Sequence, residues 1–294
     1  MTLTFGEQLM ERYLAIDAAM VAAGSHPTPE RWKQGLDRFY LANPPKRTLT
    51  VRKGRQTYTS KGVFPRVAVA TLLVPRHVPH GEIRTIACLS VRRSEANDRL
   101  GNTAGVLDVM HIPYSTSGET LQIPELQARI IVLAASYKTA VGDSCDLVWA
   151  DELTGWADDA NTNGTSNPAE SVIARVKPTL ITIPTSKLFL VSSPWVDGDF
   201  HSKQIDKGDT ADQNVEVFTT WEAMPHLTEE ICRSMAAGEA EFLREYGAQP
   251  DDGATVPYFD PDCINQAFTP AVQLDSQVHP EAYEHLSNQY TVLH

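Results

Sequence analysis

Cys145-Asp-Leu-Val-Trp-Ala-Asp-Glu152 is a short apolar run that ends in two adjacent carboxylates. Leu147, Val148, Trp149 and Ala150 have the character of a buried strand, and the chain leaves that strand at Asp151 and Glu152. In open α/β sheets ligands bind in the crevice beyond the carboxyl ends of the strands, so this strand would deliver both acids to such a crevice. There the first carboxylate suits Mg²⁺, usually through water, and the second suits orienting or deprotonating an attacking water. The same letters also fit a strand followed by the acidic first turn of a helix, because Asp and Glu favour helix N-termini.

Working outward, further strand-like runs occur at Arg47–Val51, Ile83–Ser90, Ala128–Ala135, Lys187–Pro194 and Val215–Thr220. Helical spacing is present over Phe5–Ala23, Pro27–Tyr40, Gly62–Pro75 and Pro168–Val176, and Val91-Arg-Arg-Ser-Glu begins another helix. Glu229–Ala237 and Glu239–Tyr246 form a helical pair around Gly238. Asn102–Glu125, rich in Gly, Thr and Ser, reads as loop, as does Ala248–Ala254. Strands alternating with helices predict an α/β fold with a mostly parallel sheet covered on both faces.

The first of these strands runs into Arg52-Lys-Gly-Arg-Gln-Thr-Tyr-Thr-Ser-Lys61, and a helix follows. Strand, polar loop with Gly and Lys, then helix is the architecture of a phosphate cradle. The letters depart from G-x-x-x-x-G-K-[ST], because counting from Gly54 puts Thr59, Ser60 and Lys61 in the last three places. The physical parts are nonetheless present: backbone N–H groups at a helix start, Lys53 or Lys61 for phosphate, and Thr59 or Ser60 for Mg²⁺. A second strand, Leu188-Phe-Leu-Val-Ser-Ser-Pro-Trp195, ends in two hydroxyls where the first ends in two acids. Ser192 and Ser193 also fit a simple helix cap.

A hydrophobic fraction of 42% and a charged fraction of 21% are those of an ordinary globular protein. No apolar run approaches the roughly 18 residues of a membrane span. Met1–Met10 lacks the basic and apolar regions of a secretory leader, so a cytoplasmic location is expected. Cys88, Cys145, Cys232 and Cys263 are far apart and show no metal-ligand spacing. The net charge of −12 argues against a protein that simply coats DNA. Fifteen of the 25 Lys and Arg residues fall between Arg31 and Arg99, however, which offers one basic face to polyphosphate or nucleic acid.

Together, Asp146–Glu152, Leu188–Trp195 with Gly198 and Phe200, Lys53–Lys61 and Phe259-Asp-Pro-Asp262 resemble the ATPase half of tailed-phage large terminases, over roughly residues 40 to 265. Asp146–Glu152 looks like that family's Walker B motif with its catalytic glutamate, and Leu188–Trp195 like its coupling motif. Lys53–Lys61 is similar to the deviant Walker A of lambda-like members, in which a lysine sits at the front of the loop. The resemblance implies an ASCE-type P-loop NTPase that uses ATP and Mg²⁺, with a small C-terminal helical linker subdomain. It implies an N-terminal helical region over 1–45, the ATPase core over 46–225, helices over 226–250 and a linker over 251–294. By position, Asp151 and Ser60 would hold Mg²⁺, Glu152 would activate water, and Gly54, Arg55, Gln56, Thr57, Tyr58, Thr59 and Ser60 would wrap the phosphates. Lys53 would stand in for the Walker lysine, with Lys61 as the alternative. Ser192 and Ser193 would sense the γ-phosphate, and Arg92, Arg93 and Arg99 are candidate arginine fingers.

Implied partners are double-stranded DNA, a portal protein, a small terminase subunit, a separate nuclease polypeptide or domain, and further copies in a ring on the portal, in the host cytoplasm. Asp260, Asp262 and Asp275 lie in Pro-rich or polar surroundings, so no DNA cleavage is expected of this chain. The alternative reading is a nucleotide-binding or scaffold subunit whose degenerate loop has lost catalysis. Its basis is Tyr58-Thr-Ser60: with Ser60 taken as the Mg²⁺ hydroxyl instead of counting from Gly54, Tyr58 and Thr59 stand where Gly and Lys are usual. A helicase-like ATPase unconnected with packaging would share the nucleotide motifs but explain the Ser-Ser-Pro strand and the Phe-Asp-Pro-Asp linker less well.

Overall fold

The computed structural model describes residues 3–90, 93–134, 142–156, 169–195 and 197–250, with the backbone alone at 93–96 and 134. Two helices precede the first strand. α1 (Phe5–Ala22) starts at Thr4, whose side chain caps Glu7 while Glu7 reaches back to Thr4. α2 (Glu30–Tyr40) buries Trp32, Leu36, Phe39 and Tyr40 along one side. β1 (Thr48–Lys53) continues two residues beyond the expected Val51, so Lys53 is strand and not loop. A π-helical turn, Thr59–Val63, then leads into α3 (Phe64–Leu73), with Pro65 in the first helical turn where its missing N–H costs nothing.

β2 (Arg84–Ser90) and α4 (Arg93–Val109) follow. The stretch expected to be loop from Asn102 is therefore helical to Val109. Leu100, Val106 and Leu107 bury their side chains there, and Gly101 and Gly105 had obscured the pattern. The remainder of that stretch holds a hairpin, β3 (Ser115–Ser117) and β4 (Thr120–Ile123), which turns at Gly118 with φ +56°. β5 (Ala128–Ala134), β6 (Leu147–Asp151), α5 (Ala169–Val176) and β7 (Lys187–Ser192) lie within a residue or two of expectation. α6 (Phe200–Asp206) was not anticipated, although Asp199 caps it. β8 (Gln213–Phe218) ends before Thr219, whose capping box with Glu222 opens α7 (Thr220–Ala223). α8 (Glu229–Met235) and α9 (Glu239–Glu245) complete the described chain.

The strands form one sheet in the order β3-β4-β5-β2-β6-β7-β1-β8, antiparallel only at the β3–β4 and β4–β5 pairs. Alternation along each strand divides the core in two. Leu49, Val51, Ile86, Cys88, Leu147, Trp149, Phe189 and Val191 face α1 to α4, while Ala87, Leu89, Val148, Ala150, Leu188 and Leu190 face α5 and Leu153. α3 is buried all round from Phe64 to Leu72, being wedged between the sheet, α1 and α4. Trp149 is the hub beneath the sheet's carboxyl end, stacked on Phe189 with ring centroids 4.7 Å apart and flanked by Trp32 and Phe64.

At the opposite end, Asp146 accepts bonds from Arg76 and Arg84, and Arg84 also donates to the carbonyls of Thr71, Leu72 and Val74. That knot ties the start of β6 to β2 and to the end of α3. Among the described residues no helix is long and apolar enough to cross a membrane.

Candidate active site

Sheet order places β7 between β1 and β6, so the carboxyl ends of three adjacent strands present Lys53, Ser192–Ser193 and Asp151–Glu152 side by side. These ends and the loop after β1 enclose an open cleft of about 690 Å³. Lys53, whose side chain is only 4% exposed, donates to Glu152 Oε1 at 2.9 Å and to Ser193 Oγ at 3.4 Å. The Ser193 N–H donates to Glu152 Oε2 at 3.3 Å. Glu152 has left the strand, with φ +50°, a left-handed conformation that turns its side chain back over the end of β6. Burial works to raise its carboxyl, but Lys53 and the Ser193 N–H outweigh burial and hold it below the usual carboxylate range.

Asp151 is fully buried. Its Oδ2 accepts from Ser60 Oγ at 3.1 Å, from Arg99 Nε at 2.7 Å and from Arg99 Nη2. Its Oδ1 has no hydrogen-bond partner among the described residues. Burial raises its carboxyl, a shift that Arg99 opposes and Glu152 reinforces. A buried carboxylate oxygen without a hydrogen bond is costly, and a cation or water relieves it. One acid and one hydroxyl, with the remaining positions left to water and phosphate, is a donor set that suits Mg²⁺. Among the described residues no group of three or more His, Cys, Asp or Glu side chains gathers as a self-sufficient metal site. The fit to a cation brought in with phosphate is therefore the better one.

The segment from Gly54 to Lys61 is held from three sides. Trp32 Nε1 donates to the Thr57 carbonyl at 3.0 Å, tying α2 to the loop. Thr57 and Thr59 share a hydroxyl bond of 3.0 Å. Gly54 passes so close to α7 and the end of α9 that a Cβ there would lie 2.3 Å from Thr220 Oγ1 and 2.5 Å from the Tyr246 carbonyl. Arg55 pairs with Glu245 of α9. Gln56 and Tyr58 both have positive φ, +60° and +63°. Lys61 is exposed at the rim, lining the cleft without reaching the carboxylates.

Of the three arginine candidates, Arg99 enters the site, buried and paired with Asp151 of its own chain. Arg92 lies outside the described residues, as does the side chain of Arg93. Ser192 Oγ contacts Thr154 Oγ1 at 2.8 Å and Ser193 reaches Lys53 and Glu152, so each hydroxyl faces a different neighbour. Sequence reasoning gave Thr154, Trp32, Thr220 and the expected helix α9 no place at the site. None carries a motif, and each reaches the site only through the tertiary fold.

No family model matches the chain, and no curated protein does. Solved structures do. The HK97 bacteriophage large terminase shares 16% identity at a TM-score of 0.64, over 84% of this chain and 56% of that one. The fold is shared with phage large-terminase ATPase domains. The Thermus phage P74-26 large terminase ATPase domain matches at TM-score 0.58 and 13% identity, over 79% of this chain and 97% of that domain. The large terminase of a thermophilic bacteriophage, in complex with ADP, matches at 0.58 and 10%, over 76% and 53%. The architecture is thus α/β, a mostly parallel mixed sheet flanked by helices, as in those terminase structures. The chain spans about half the length of the HK97 terminase and of the ADP-bound terminase.

Proposed function

We propose that this chain is the ATP-hydrolysing motor part of a DNA-packaging terminase, translocating double-stranded DNA into a procapsid. The observation that carries the reading is the convergence of Lys53, Ser60, Asp151, Glu152 and Ser193 in one cleft at the carboxyl ends of three adjacent strands. Support for packaging over other ATPase work comes from the fold shared with terminase ATPase domains and from the Ser192-Ser193-Pro194 strand end between lysine and acids.

On this reading Lys53 and the loop N–H groups bind the phosphates, Ser60 and Asp151 hold Mg²⁺, and Glu152 orients and deprotonates water. Mg²⁺ bound there would neutralise charge developing on the transferred phosphoryl group. Ser192 and Ser193, bonded to Thr154 and Glu152, report phosphate occupancy to the elements beyond β7. Arg99, Arg92 and Arg93 remain the arginine candidates. The partners are those of a terminase complex: double-stranded DNA, a portal, a small subunit, a separate nuclease and further copies in a ring.

The test is ATP binding and steady-state hydrolysis with Mg²⁺, with and without linear double-stranded DNA, in wild type, Glu152→Gln and Lys53→Ala. Hydrolysis lost in Glu152→Gln with binding retained supports the motor. Binding without hydrolysis in the wild type, even when assembled with DNA and portal, transfers the assignment to a nucleotide-binding scaffold subunit.

A further inference from the structure

Tyr58 stands in the left-handed region, at a place in the phosphate loop where glycine is the residue that adopts such a backbone freely. A cage of contacts keeps it there. Its hydroxyl shares a 2.9 Å bond with Ser25 Oγ in the α1–α2 connection. The Arg66 guanidinium lies over its ring at 5.2 Å, and the His26 ring meets it edge-on at 6.1 Å. Gly62 passes against the ring so closely that a Cβ would lie 2.0 Å from Tyr58 Cε1.

Arg66 is itself fixed, buried, 3.2 Å from Asp17 and donating to the His26 carbonyl at 2.8 Å. Asp17 in turn accepts from the N–H and hydroxyl of Thr28, each at 2.8 Å. The Tyr58 carbonyl accepts from the N–H groups of both Gly62 and Val63, at 3.0 and 3.2 Å, and so closes the π-helical turn that carries Ser60 to Asp151.

We infer that Tyr58 is a positioning residue: its ring, clamped between Arg66 and Gly62 and tethered to Ser25, does for the loop what glycine ordinarily does and sets Ser60 opposite Asp151. The α1–α2 connection is thereby part of the phosphate-binding machinery, although none of its residues lines the cleft. The inference rests on the nucleotide reading of the site.

It is tested on the full 294-residue chain by titrating Mg²⁺ at fixed fluorescent ATP analogue and reading the Mg²⁺ midpoint of binding. Because Ser60 is the residue being placed, Tyr58→Ala raises the midpoint about tenfold or more. Tyr58→Phe, which keeps the ring and loses only the Ser25 tether, falls between wild type and Tyr58→Ala. Gly62→Ala, which displaces the ring without removing it, repeats the Tyr58→Ala effect. In a Ser60→Ala background Tyr58→Ala adds little, since both changes remove the same contact. A wild-type midpoint in Tyr58→Ala, or its full effect added on top of Ser60→Ala, overturns the inference while leaving the nucleotide site intact. Wild-type protein that binds no nucleotide overturns the functional reading and this inference with it.

Discussion

Replacing Glu152 by Gln is expected to tighten nucleotide binding while it stops hydrolysis. Lys53 is buried and its ammonium lies 2.9 Å from Glu152 Oε1, so an incoming phosphate competes with that carboxylate for it. At an effective dielectric of about 20 the gross attraction at this distance is about 6 kcal/mol. Most of it offsets the desolvation of the two charges, and Glu152 is 34% exposed, which screens it further. A net advantage of about 1–2 kcal/mol remains to be released when the charge is removed, which is roughly a tenfold gain in affinity. The assay is calorimetric titration of a non-hydrolysable ATP analogue with Mg²⁺, so that wild type and variant are compared in the same ground state. Lys53→Met in the same assay loses binding by on the order of a hundredfold, the scale of one charge-assisted phosphate contact. Affinity in Glu152→Gln that is unchanged or weaker than wild type would refute the claim that Lys53 is shared between Glu152 and phosphate.

Three further outcomes follow from the same geometry. Asp146→Ala leaves Arg84, only 4% exposed, without its counterion, and is expected to lower urea-unfolding stability by about 3–5 kcal/mol while the folded fraction still binds nucleotide. His201 is fully buried in α6, and burial, helped by Arg52 and opposed by Asp199 and Glu152, lowers its pKa to about 4 from an ordinary 6.5. The unfolded chain therefore takes the proton first as pH falls. Stability declines between about pH 6.5 and 4 by up to about 3 kcal/mol, and His201→Phe flattens that stretch of the urea-midpoint profile. Gly54→Ala forces a methyl against Thr220 Oγ1 and the Tyr246 carbonyl; it is expected to cost about 1–3 kcal/mol and to weaken analogue binding, read by thermal unfolding with and without nucleotide.

The sheet was legible because its central strands are buried on both faces and so read as uninterrupted apolar runs, as at Leu147–Ala150 and Leu188–Val191. Where burial is one-sided or glycine interrupts the pattern, reading failed, and α4 beyond Asn102 and the β3–β4 hairpin passed for loop. Asp199 caps α6 in the ordinary way, but the seven residues of that helix are too few to show a period.

The lining of the candidate site was legible in residue types and not in pairings. Lys53, Asp151, Glu152 and Ser193 stand at ends of apolar runs, a place where chemistry-bearing residues draw attention. Nothing local shows that Arg99 meets Asp151 across 52 residues, or that Arg55 meets Glu245 across the length of the core. The positive φ of Tyr58 was equally invisible, because its support comes from Ser25, Gly62 and Arg66.

Two lysines competed in the sequence for the phosphate, and the geometry separates them by burial. Lys61 is exposed on the turn and lies at the rim, whereas Lys53 ends β1 beside β7 with its ammonium inside the cleft. A lysine held that deeply needs a counterion before any phosphate arrives, and Glu152 is the acid within reach. The pairing has a chemical consequence under the proposed function. While Lys53 and the Ser193 N–H hold Glu152 below the usual carboxylate range, Glu152 is a weak base. Once Lys53 turns to phosphate, Glu152 loses its strongest acidifying neighbour and becomes more basic beside the same nucleotide. Occupancy and basicity are thereby linked through one ammonium, which gives a physical reason for a lysine at the front of the loop.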